Sequence, residues 1–132
     1  MTGERRVARP GVAPLTPAQR RDALTSARAL FNGGAYWEAH EALETVWRSI
    51  IGAGDAEAAG VWQGLIQAAA ALLHQRRGNR HGMTTVGTAA LDKLAGPQRA
   101  DVELETVRFR AQLARALAGK GDSPRLEWQG HG

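Results

Sequence analysis

The chain has 132 residues and a formal net charge of +4, from 17 basic and 13 acidic side chains. That length suits one domain with a core of its own. There is no cysteine, which excludes disulfides, thiolate metal sites and a cysteine nucleophile, and fits a reducing cytoplasm. Arg5, Arg6 and Arg9 against Glu4 carry half the charge, and the charges after Ala118 cancel, so the folded part is left with +2. So mild an excess is too little to argue for nucleic acid as a partner on charge alone.

The first fifteen residues, rich in charge, Pro and Gly, are expected to be a disordered tail without a secretory signal. "TPAQ" at 16–19 then signals a helix start. Thr16 can cap, Pro17 suits the first helical position and Gln19 completes a capping box. "NGG" at 32–34 ends that helix. A second helix is expected from about Ala35 to Ile51, and "GAGD" at 52–55 turns the chain, with Asp55 as the next N-cap. The third helix reaches about Arg77. The strongly apolar part of its uncharged stretch Ala58–Gln75 is short of the roughly 20 residues a membrane span needs, so it reads as a buried core helix. "GN" at 78–79 stops it. A fourth helix is expected over about His81–Leu94. A fifth is expected over about Asp101–Ala118, with Leu104, Val107, Ala111, Ala114 and Leu117 on one face. The remainder, 119–132, reads as a loose tail that only Trp128 could dock.

No strand alternation and no internal repeat is visible. The expected fold is all-α: a single-domain bundle of about five helices, over 16–118, joined by short connections.

"YWEAHEALETVW" at 36–47 is the most informative stretch. At about 100° per residue, Tyr36, Ala39, Leu43, Val46, Trp47 and Ile50 form a core stripe. His40 falls inside it and Glu44 on its edge, one turn away. Glu38 and Glu41 point outward. On the third helix Gln63, Gln67 and His74 line up within about 40° of one another. An aligned polar stripe on a buried helix predicts a polar partner, because buried amides need hydrogen bonds. The expectation is an antiparallel pair of helices sharing a His40/Glu44–Gln63/Gln67/His74 seam, with Gly60 and Gly64 allowing close approach.

Three functional classes follow. In the first, the chain is a cytosolic binding or interaction module whose seam, with Trp47 and Glu38 beside it, is either structural or a small-ligand site. In the second it is a metal-assisted hydrolase. His40 and Glu44, four apart on a helix, would bind a divalent metal and Glu41 would be the base. The di-iron pattern of Glu-x-x-His on two helices is absent. Nucleophilic catalysis has little to work with, since Ser26, Ser49 and Ser123 are the only serines and none lies in a nucleophile elbow. In the third, Arg76, Arg77, Arg80 and His81 form a corner for an anion or nucleic acid. Trp37 and Trp62 sit off the seam and suggest a second contact layer or the face of a homodimer. Whether the chain is an enzyme stays open.

"FNGGAYWEAHEALETVW", "WQGLIQAAAALLHQRRGN" and "ALDKL" together resemble the domain of unknown function 309 family, small all-helical and mostly prokaryotic proteins. The resemblance covers about Leu30–Leu94. It implies the helical fold and supplies no function. Its signature residues here are Glu38, His40, Glu41, Glu44, Trp47, Gln63, Gly64, Gln67, Gly78 and Asn79. Where the family often has a second His after His74, this chain has Gln75.

Overall fold

The computed structural model describes residues 14–130, so the expected disordered tail lies outside the described residues except for Pro14 and Leu15. Among the described residues there are five helices and no strand: α1 Pro17–Asn32, α2 Tyr36–Gly52, α3 Ala56–Arg76, α4 Arg80–Lys93 and α5 Val107–Leu117. The capping signals place the starts. Thr16 and Gln19 close a reciprocal capping box on α1. The Asp55 carboxylate accepts from the Ala58 N–H at 3.1 Å, and the Asn79 side chain accepts from the Gly82 N–H at 2.9 Å.

Successive helices pack against one another, with α3 between α2 and α4. The Arg76 guanidinium, at the end of α3, donates to the Gly34 carbonyl just before α2 at 2.7 Å and lies 4.6 Å from the Tyr36 ring centre. That ties the end of α3 to the start of α2 and makes the pair antiparallel. Leu24, Phe31, Leu43, Val46, Trp62, Leu65 and Phe109 fill the core. Trp62 is therefore a core residue and not a dimer face, and Arg20 lies 5.4 Å over its ring.

Gly64 brings α3 close to α4, not to α2. A Cβ there would stand 3.0 Å from Leu94 Cγ and Lys93 Cβ. A Cβ on Gly60 would meet nothing within 4 Å.

The C-terminal third departs from expectation in two ways. Residues 101–106 are not helical; α5 starts at Val107 and buries Phe109, Leu113 and Ala116, leaving Val107 half exposed. The extended chain at 103–105 pairs with 127–129 instead, through Glu105 N–H to Glu127 O at 2.9 Å and Gln129 N–H to Glu103 O at 2.6 Å. The amides of Gln98 and Gln129 satisfy carbonyls that a helix would have used, including Leu104 O at 3.0 Å and Val102 O at 2.6 Å. Nor is the segment after α5 loose. Pro124 and Leu126 are fully buried, the Asn32 side chain bonds both backbone groups of Leu126, and Trp128 packs under Arg21.

Candidate functional site

The helical period of α2 sets out a polar ladder along its length. His40 and Glu44, one turn apart, approach to 3.7 Å between Nε2 and a carboxylate oxygen. That is an electrostatic contact rather than a hydrogen bond. Arg48, one turn further, reaches Glu44 at 3.4 Å. One turn before, Trp37 stacks flat on the His40 ring, centroids 5.2 Å apart and planes at 12°. His40 is half-buried rather than fully buried, because a tryptophan that is itself 52 % exposed covers its ring.

The inner edge of that ring differs from the outer one. His40 Nδ1 is buried and has no hydrogen-bond partner. On α3, Gln67 Oε1 is likewise buried and unpartnered. The antiparallel pairing puts these residues at the same level, nearly equally far along the chain from the Ala53–Asp55 turn. Each orphaned atom carries a desolvation cost of about 1–3 kcal/mol.

The remaining seam residues separate. Gln63 lines an open pocket of about 300 Å3 with Trp47, Ile51, Ala59 and Gly60, towards the α2–α3 turn. His74 turns the other way, its Nδ1 sitting 3.1 Å from the Asn79 amide nitrogen. So the structure brings His40 and Glu44 together and sets Gln67 level with His40. It leaves Gln63 and His74 at the two ends, with no hydrogen bond joining the two halves of the expected seam among the described residues. Glu38 and Glu41 are exposed. Among the described residues no three His, Asp or Glu side chains gather where they could hold a metal ion.

The model of the family described as domain of unknown function (DUF309) matches residues 24–86. Over those residues the chain is similar to that family. No curated protein and no solved structure matches the chain. The DUF309 match spans most of α1, all of α2 and α3 and the first half of α4, so it contains the whole His40–Gln67 site.

Two other places in and around the matched segment carry charge. At the Arg76–His81 corner, Arg76 is committed to Gly34 and Tyr36, while Arg77, Arg80 and His81 are exposed. At the opposite end an open cleft of about 510 Å3 is lined by Arg20, Arg21, Ser49, Asp55, Asp101 and Glu103. Three of its charged groups, Arg20, Glu103 and Asp101, are held in ion pairs. Arg20 Nη2 donates to Glu103 at 2.8 Å, and Nε donates to the other carboxylate oxygen. Arg99 grips Asp101 through both nitrogens, at 2.9 and 2.8 Å. Hydrogen bonding to Glu103 raises the Arg20 pKa, and hydrogen bonding to Arg99 holds the Asp101 carboxyl below its ordinary value. Sequence reasoning missed this cleft because its partners lie far apart along the chain.

No helix among the described residues is long and apolar enough to cross a membrane.

Proposed function

We propose that the chain is a binding module whose ligand is held between α2 and α3, at His40 and Gln67. One observation carries the reading: a nitrogen of one helix and an oxygen of the next, its antiparallel neighbour, are both buried and unpaired. Nε2 faces the Glu44 carboxylate, and in the tautomer that carries its proton there the ring presents a lone pair at Nδ1. Gln67 Oε1 also offers only lone pairs. Two acceptors beside a carboxylate suit a ligand that brings hydrogen-bond donors, such as an amine, an amide or a hydroxyl. Glu44 supplies the negative charge and the Trp37 indole shields the ring. A metal-assisted hydrolase at His40 and Glu44, with Glu41 as base, draws no support from a two-residue set and an outward-facing Glu41. We place the module in a bacterial cytoplasm, a setting supported by the lack of cysteine and by fifteen arginines against two lysines.

His40→Leu and Gln67→Leu test the reading in urea denaturation. A site kept for a ligand is a stability liability, so each variant should unfold at the same or a higher urea concentration than the parent. A loss of about 1–3 kcal/mol in both would mean that these atoms are satisfied within the folded chain, and would sink the proposal. Native mass spectrometry supplies the second readout. A small molecule retained by the parent should be lost from Gln67→Leu.

A further inference from the structure

α2 presents a second face, which shares only Trp37 and Glu44 with the edge of the ligand site. Trp37, Glu41, Glu44, Arg48 and Ile51 lie within about 80° of one another on this helix. Trp37 and Ile51 are two of the three large hydrophobic residues exposed among the described residues, at 52 % and 39 %. The order along the strip is apolar, acidic, acidic, basic, apolar. Reversed, its apolar ends match each other and Glu41 matches Arg48, while the two Glu44 carboxylates meet at the centre, each with its own Arg48 at 3.4 Å. In an antiparallel pairing of two α2 helices, Trp37 of each copy meets Ile51 of the other, and Glu41 meets Arg48, twice over.

What surrounds Ile51 completes the match. The pocket of about 300 Å3 there is lined by Trp47, Gln63 and Gly60 as well as Ile51. Glycine inside a helix costs about 1 kcal/mol relative to alanine. No neighbour forbids a side chain on Gly60, since a Cβ there touches nothing within 4 Å. Packing within one chain therefore gives no reason for this glycine, whereas an aromatic ring entering from outside does. Trp37 is a suitable ring. It is preordered by its stack on His40, so seating it costs little entropy. It also lies about 21 Å from Ile51 along α2, the reach that a two-fold axis near Glu44 and Thr45 requires.

We propose that α2 is the contact surface of a symmetric homodimer, with Trp37 of each copy seated over Gly60 of the other and reciprocal Glu41–Arg48 pairs between them. Such an interface is isologous and closes at two copies.

Sedimentation of the full chain from micromolar to millimolar concentration tests this, alongside E41R and R48E. Both substitutions fall on exposed positions and leave the core untouched. The wild type should dimerise. Each variant alone sets like charges opposite one another and should dimerise on the order of tenfold or more weakly. An equimolar mixture of the two should restore dimers, because the arginine introduced by E41R in one copy then faces the glutamate introduced by R48E in the other. Gly60→Leu fills the pocket and should weaken the dimer without lowering the thermal midpoint of the monomer. A wild type that stays monomeric throughout overturns the proposal. So does a dimer indifferent to both charge reversals, or a mixture that fails to recover.

Discussion

Asn32, in the last turn of α1, is bonded to both backbone groups of Leu126: its side-chain NH2 donates to the Leu126 carbonyl at 2.9 Å and its oxygen accepts from the Leu126 N–H at 2.8 Å. One amide thus imitates a strand partner for a single residue, and fastens the C-terminal segment across the first helix. Leu126 itself is fully buried beneath it. Replacing Asn32 with Ala leaves two backbone groups of a buried residue without partners. The expected loss is about 1–3 kcal/mol in urea denaturation, with faster proteolysis near Arg125. An unchanged midpoint would show that the clasp contributes nothing.

The two glycines of α3 should respond in opposite directions. Gly60→Ala removes the backbone entropy cost of glycine and meets no neighbour, so it should stabilise the monomer by about 0.5–1 kcal/mol. Gly64→Ala drives a methyl to 3.0 Å from Leu94 and Lys93, and overpacking of that kind costs about 1–3 kcal/mol. Thermal midpoints of the two variants, measured side by side, check this. Equal shifts would refute the close approach of α3 and α4.

Arg20 should not tolerate lysine. Its guanidinium makes two bonds to Glu103 while lying over the buried Trp62 ring, and an ammonium can do only one of these well. Arg20→Lys should lower stability by about 1–2 kcal/mol. Glu103→Gln should lower it too, and the double variant should cost less than the sum of the two. Additive losses would mean that the pair is not coupled.

Acid should loosen the C-terminal segment before the helices. Hydrogen bonding to Arg28 holds the Glu127 carboxyl below its ordinary 4.5, as Arg99 holds Asp101 below 3.8. A carboxyl depressed in the folded state contributes stability above its unfolded value. That contribution is lost as pH falls through the folded value. The loss therefore begins near pH 4.5 and continues downward. Both carboxyls are exposed, so salt should shrink the effect. Glu127→Gln together with Asp101→Asn should flatten the acid limb of a stability–pH curve; an unaltered limb would assign the acid sensitivity elsewhere.

The parts legible in the sequence were those written in neighbouring residues. Thr16 with Gln19, and Asp55, each announce a helix start within three positions, and the His40–Glu44 contact is a matter of one helical turn; Asn79, legible as the stop of α3, also caps α4. Distant pairings were not legible. Leu104 looked like the first core residue of the last helix, and counting from it put Val107 on the inner face. In fact Leu104 is extended and bridges to Trp128, so the helical count starts later, at a phase that buries Phe109 and Leu113. Nothing near Leu104 encodes the Gln98 and Gln129 amides that make the extended form affordable. The stripe of Gln63, Gln67 and His74 was real as a direction on α3. It did not become one seam, because α2 ends beside Gln63 while His74 reaches the start of α4.

The clasp between Asn32 and Leu126 closes a loop of 94 residues, whereas α1 to α4 meet their sequence neighbours. Loop closure over that span carries an entropy cost that the helical hairpins avoid, so the clasp forms late in folding and opens early in unfolding. The four tryptophans then report on separate events. Trp128 leaves its arginine stack when the strap lifts, while Trp62, fully enclosed, changes only when the bundle itself comes apart. Single-tryptophan versions of the chain would display these as two fluorescence transitions at different denaturant concentrations, making the strap a latch that can be watched on its own.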